Sequence, residues 1–214
     1  MSAGRREVMT AIGLGFRAER GGSVVIGVGV EGGAPRIVLS AFLATSAGSD
    51  RLSLEPYHVA VELARGARDG VPADAVAAVA EGRRRQDQLA KTGLEDILHK
   101  LEKAESKPVI AALLVNRAGW ISDLLQYSLF APEHPAVAEG LAVRAALRFA
   151  LAQCSVETVE MDEKSLAETA CRQLLISSTE LEACLKRLGT SAGRPWRKEQ
   201  KLACLSAWLA VAAP

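Results

Sequence analysis

The chain has 214 residues, 49% of them hydrophobic, and its 26 Lys and Arg against 25 Asp and Glu leave a net charge of +1. Length and apolar content suffice for one sizeable core. The balanced charge excludes a global basic field, so any binding of nucleic acid or anionic membrane would need a local patch. No apolar run approaches the roughly 18 residues of a membrane span. The apolar stretch after Arg5 and Arg6 is interrupted by glycines and by Arg17, unlike a signal peptide. Cys154, Cys171, Cys184 and Cys204 show no paired or metal-ligand spacing. A cytoplasmic protein with reduced cysteines, forming one domain over residues 1–214, is expected.

Three β-rich segments come first, at about Val8 to Phe16, Val24 to Val30 and Arg36 to Leu43. Short glycine-bearing joins make them an antiparallel meander over residues 1–44. Gly13, Gly15 and Ala18 satisfy a relaxed G-x-G-x-x-A nucleotide fingerprint. That fingerprint needs a helix straight after the glycine turn, and Arg20-Gly21-Gly22 followed by Val24-Val25-Ile26 reads as a hairpin instead. A helical pair fills residues 54–105: Pro56 suits a first helical turn, and Ala73 to about Ala104 reads as two helices or one bent helix, with Gly82 and Gly93 as weak points.

Residues 107–214 read as strand and helix units. Val109 to Val115 is apolar without alternation, as in a strand buried on both faces, and is the expected central strand. A helix from Ala136 to about Gln153 and a strand from Val156 to Met161 follow. Helices over Ser165 to Leu175, Thr179 to Leu188 and Trp196 to Ala212 complete the chain, the last preceded by a loop from Gly189 to Pro195. The parallel pairing implied by strand-helix-strand units makes this an α/β fold.

The 189–201 segment carries the sharpest functional signal. Gly189 to Gly193 has the composition of a backbone nest, and Arg194, Arg197, Lys198 and Lys201 follow at a helix start. Cations there oppose the helix dipole unless an anion or an acidic neighbour offsets them. The cluster therefore points to a phosphate or nucleic-acid contact, the alternative being salt bridges to nearby acids. Trp196 either stacks on a base or packs against the sheet. Asn116, Arg117 and Trp120 follow the Val109–Val115 strand and are expected to line a cleft with the first-strand end, the alternative being a surface turn anchored by Trp120. Asp162 and Glu163 sit at a strand end, where α/β sheets present ligands, or else simply begin the next helix. Arg83-Arg84-Arg85 reads as a solvated helix face. His134, at a helix start five residues before Glu139, reads as a cap or surface histidine, the alternative being a ligand role that would need further partners.

The stretches GLEDILHKLEKAESKPVIAALLV and EGLAVRAALRFALAQCSVETVEMDEKSLAETA, in this element order, resemble the ribonuclease H-like superfamily and within it the RuvC-type Holliday junction resolvases. The resemblance implies a mixed five-stranded sheet, with a three-strand antiparallel meander and two parallel strands flanked by helices. It also implies carboxylates holding two Mg²⁺ ions. The corresponding positions here carry Gly15, with Arg17 nearby; Leu114 to Asn116; and a last helix whose one acid is Glu199.

The expectation is thus a domain that binds structured nucleic acid or a DNA-processing protein without cleaving, with no cofactor. A metal-dependent nuclease using Glu19, Asp162, Glu163 or Glu199 with Mg²⁺ or Mn²⁺ is the enzymatic alternative. A structural module that forms homo-oligomers is the third.

Overall fold

The computed structural model describes residues 11–67, 70–104, 109–116 and 121–212. Its meander is made of β1 (Ile12–Glu19), β2 (Gly22–Glu31) and β3 (Ala34–Ala44). Gly32 and Gly33 join the second hairpin with φ of 58° and 81°, the pair of positive values that matches the twist of adjoining strands. The first hairpin turns at Arg20-Gly21, with Glu19 opposite Gly22. The chain therefore doubles back where a nucleotide fingerprint would need a helix. β1 also runs three residues past Phe16, because Arg17 and Ala18 stay paired with Val24 and Ser23.

The sheet order is β3-β2-β1-β4-β5, with β4 (Val109–Val115) parallel to β1 and β5 (Glu157–Asp162) parallel to β4. The central strand is thus β1, where Val109–Val115 was expected. Residues 111–114 of β4 are indeed buried. Burial on both sides follows from helices covering both faces of the sheet and does not require the central place.

The helices are α1 (Arg51–Leu54), α2 (Pro56–Leu63), α3 (Ala73–Ala104), α4 (Leu124–Phe130), α5 (Pro135–Gln153), α6 (Leu166–Leu174), α7 (Ser178–Ala192) and α8 (Lys198–Ala212). Of the two readings for residues 73–104, the single helix holds. Gly82 does not break it; a β-carbon there would lie 2.3 Å from the carbonyl oxygen of Leu52 and 2.5 Å from Pro56, so glycine lets α1 and α2 approach. One face of the sheet is covered by α3 and α5, whose Leu94, Leu147 and Leu151 pack with Leu14, Phe16 and Leu113. On the other face α8 joins Val24, Ile26 and Leu114, with Leu188 of α7 and Leu166 of α6 in the same cluster. Each such side chain, fully buried, contributes about 1.5–3 kcal/mol.

Two contacts set the layers' spacing. The β-carbon positions of Gly13 and Gly15 lie 2.0 and 1.8 Å from the carbonyl oxygens of Ala207 and Ala203. A side chain at position 13 or 15 would push α8 away. On the other side of the sheet α2 has no side-chain cap from its own N-cap residue, Glu55. The Tyr57 and His58 N–H groups instead donate to Glu139 Oε1 on α5, at 2.9 and 3.0 Å. Among the described residues no helix is long and apolar enough to cross a membrane.

Candidate nucleic-acid interface

Parallel pairing brings the carboxyl ends of β1, β4 and β5 to one edge of the sheet. Along β1, side chains alternate between faces: Leu14 and Phe16 enter the α3/α5 core, while Gly13 and Gly15 meet α8. Arg17 and Glu19 continue the α8 side, beyond the start of that helix. Arg17 lies 3.5 Å from Glu19, 3.5 Å from Glu163 just after β5, and 3.8 Å from Glu199 in the first turn of α8. The guanidinium is about one-fifth exposed, and its Nε has no partner in hydrogen-bond geometry. Three of the four acids named from the sequence thus converge on one cation.

Asp162 stands apart from them, in a separate hollow beside Ser165, Thr169 and Leu209. Its carboxylate accepts the Lys164 N–H at 2.8 Å.

The residues at this edge do not fit the pair of Mg²⁺ ions that the family resemblance implied. A carboxylate at position 15 would collide with the backbone of α8. The acids that do converge surround the Arg17 charge, and among the described residues no three His, Cys, Asp or Glu groups are placed to hold a metal ion.

The 189–201 segment differs locally from its expected form. Residues 189–192 are helical, the last turn of α7, so the expected backbone nest does not form. Gly189 is taken up by Trp196: a β-carbon at 189 would lie 2.3 Å from the indole Cδ1. Thr190 and Ser191 extend the helix, their hydroxyls donating to the carbonyls of Lys186 and Leu188. Trp196 therefore packs on α7 and is not a free base-stacking platform.

What stays exposed is cationic. Lys186, Arg187, Arg194, Arg197, Lys198 and Lys201 are all exposed. Among the described residues none of these six side chains has an acidic partner. The sole acid between positions 186 and 201 is Glu199, already held by Arg17. Arg194 and Arg197 line a cleft of about 440 Å³ with Phe42, Ser40, Glu19 and Gln200. Phe42 is 53% exposed. Sequence reading missed it, because alternation along a strand does not tell which polar-looking face bears a ligand.

Asn116 does not join this cleft. It lines another, of about 570 Å³, with Tyr57, Arg83, Asp123, Arg144 and Arg148. The expected grouping of Asn116 with the first-strand end is thereby corrected: β4 leads its following residue toward α3 and α5, while Arg17 and Glu19 lie toward α8. Arg117 and Trp120 lie outside the described residues. Arg84 and Arg85 do form a solvated, ion-paired face with Glu81, but Arg83 turns toward the Tyr57 hydroxyl at 3.3 Å. Its inward course was not legible in a run of three arginines.

No family model and no curated protein sequence matches the chain. Its fold is similar to the structure of Thermus thermophilus RuvC, with a TM-score of 0.50 and 11% identity over 92% of this chain and 90% of that chain. The T. thermophilus RuvC complex with Holliday junction substrate gives a TM-score of 0.44 at 11% identity, covering 94% of this chain and 91% of that chain. The architecture is a ribonuclease H-like mixed sheet flanked by helices.

Proposed function

We propose that this chain is a nuclease-like nucleic-acid-binding protein that holds its ligand without cleaving it. The binding surface comprises the end of α7, the connection carrying Arg194 and the first turn of α8, with Phe42 beside it. One observation carries the reading: six exposed cations within sixteen residues have no acidic partner among the described residues. In a chain of net charge +1, a surface made for ion pairing alone would distribute acids among them.

Unpaired Arg and Lys repel one another and oppose the α8 dipole, and a line of phosphates relieves both. Arg194 and Arg197 beside an exposed aromatic ring supply phosphate contacts and a stacking face together. The absence of cleavage rests on Gly15, which stands where the resemblance implied a carboxylate, and on the Arg17 charge close by among the remaining acids.

Gel shift and fluorescence anisotropy with branched, duplex and single-stranded DNA and RNA test the reading between 50 and 200 mM salt. Products are run on a denaturing gel with Mg²⁺ or Mn²⁺ present. Affinity should fall steeply with salt and the strands should stay intact. Absence of binding at 50 mM salt would overturn the binding claim, and metal-dependent cleavage the non-catalytic one.

A further inference from the structure

We propose that the cleft between α3, α4 and α5 is a second, separate site, which takes the phosphate of a nucleotide on Arg83, Arg144 and Arg148. It opens at the carboxyl end of β4, from Val115 and Asn116, and its volume of about 570 Å³ falls within the range of small-ligand sites.

The arginines are poorly served by the protein itself. Arg144 is half-buried, yet no carboxylate among the described residues lies within ion-pair distance of it. Its Nε donates to the Leu114 carbonyl at 3.3 Å and one Nη to the Gly140 carbonyl at 3.4 Å, both long for such bonds. The remaining donors of its five have no protein partner among the described residues. Arg83 uses one Nη on Tyr57, and its buried Nε has no partner. Among the described residues Arg148 alone of the three is in a close ion pair, with Glu160 at 2.5 Å; Arg144 and Arg83 have only the longer-range attraction of Glu163 and Asp87. Among the described residues the one carboxylate on the cleft wall is Asp123, which caps α4 by accepting the Gln126 N–H at 2.9 Å.

An arginine half out of water with unused donors is costly, and an anion with several oxygens is the group that supplies what it lacks. The opposite wall is apolar, with Val79, Leu124, Leu125 and Leu141. That wall has no use for inorganic phosphate but suits the flat face of a base, so the occupant is a nucleotide and not a bare anion.

The full chain is tested by calorimetry and thermal unfolding with AMP, GMP, CMP and UMP, with adenosine, and with inorganic phosphate. A short single strand with either a 5′-phosphate or a 5′-hydroxyl is the further arm. At a hundredfold excess over Kd, a mononucleotide should raise Tm by roughly 5–10 °C and adenosine should not; in the Arg194→Gln/Arg197→Gln variant, whose cationic surface is weakened, the 5′-phosphorylated strand should raise Tm more than its 5′-hydroxyl counterpart. Binding of the mononucleotide identifies a free nucleotide as the source, and binding of the phosphorylated strand alone identifies a strand end.

Arg83→Gln and Arg148→Gln should each weaken binding at least tenfold with an unchanged circular dichroism spectrum; Arg144, which donates to the Leu114 carbonyl of β4, is left in place because its replacement endangers folding. Arg194→Gln with Arg197→Gln should leave mononucleotide binding intact, which separates this site from the cationic surface. No binding of any phosphorylated probe, equal binding of inorganic phosphate, or unchanged affinity in both Arg83→Gln and Arg148→Gln would each overturn the assignment.

Discussion

The carbonyl oxygen of Ala203 occupies the space where a side chain on Gly15 would begin, 1.8 Å from the ideal β-carbon position. Backbone stands on both sides of this contact, so neither partner relaxes by changing a rotamer. Gly15→Ala should therefore destabilise the chain by about 2–4 kcal/mol, at or above the usual range for overpacking. A β-carbon on Gly29 would lie 3.6 Å from a methyl of Val38 on β3, an ordinary van der Waals contact, and Gly29→Ala should change stability by less than about 1 kcal/mol. Urea unfolding of the two variants gives the comparison; equal midpoints would show that α8 is not held at the distance described.

Arg17 neutralises a carboxylate group drawn from three separate parts of the chain. Its removal leaves Glu19, Glu163 and Glu199 facing one another at a half-covered edge. Arg17→Gln is expected to lose about 1–3 kcal/mol, between the values for exposed and buried pairs. Adding Glu163→Gln to that variant should recover part of the loss, since it removes one of the repelling charges. A double-mutant cycle reads the coupling directly, and strictly additive effects would mean that the ion cluster contributes nothing to stability.

How far the sequence reached can be read from these same residues. The hairpins were legible because Gly21, Gly32 and Gly33 punctuate β-rich runs, and Val109 to Val115 was legible because a short apolar run between a proline and a polar turn has few other readings. The ribonuclease H-like element order followed from them. The Arg17 cluster was only half visible: its acids were named one by one, but their convergence depends on strand order and on which face of β1 is odd-numbered. Gly189 to Ala192 was misread because glycine, threonine and serine signal a loop locally, whereas Trp196, seven residues away from Gly189, stabilises the helical form by packing on the glycine. Arg144 was invisible for the opposite reason. It sits in an apolar helical pattern, where a lone arginine looks like a surface residue, and only the position of β4 reveals that it is half-buried.

Glu139 gives the fold a pH dependence. Burial pushes its carboxyl up to about 7, against the pull of the Tyr57 and His58 N–H groups toward the anion. In the unfolded chain it has the ordinary value of 4.5. Between these values the folded state binds the proton that the unfolded state has released. The stability it contributes is thus full below pH 4.5 and is lost as pH rises through about 7. The difference is on the order of 3 kcal/mol. Glu139→Gln keeps an acceptor for both N–H groups and should flatten the stability curve between pH 5 and 8. Glu139→Ala should destabilise by about 1–2 kcal/mol near pH 5 through loss of the α2 cap, and the difference from wild type should shrink or reverse as pH rises through about 7. A wild-type chain whose urea midpoint does not fall over that pH range would refute the account of this residue.

The cationic surface should show itself in the salt dependence before it shows in affinity at any one condition. Each phosphate neutralised contributes about 0.9 to the slope of log K against log salt on duplex DNA. Arg197→Gln, if it removes one contact, should lower the slope's magnitude by about 1, and Arg194→Gln with Arg197→Gln by about 2. These losses should be similar for all sequences, because phosphate contacts position a ligand without reading bases. Phe42→Ala tests a different interaction. Its ring is exposed beside the arginines and carries no charge, so its loss should leave the salt slope unchanged while weakening single-strand binding by about 1–3 kcal/mol. Duplex binding should scarcely respond, since paired bases offer no free face. Anisotropy titrations of the four proteins at several salt concentrations separate the two effects. An unaltered slope in the double arginine variant would mean that the nucleic acid lies elsewhere on the chain, whatever its affinity.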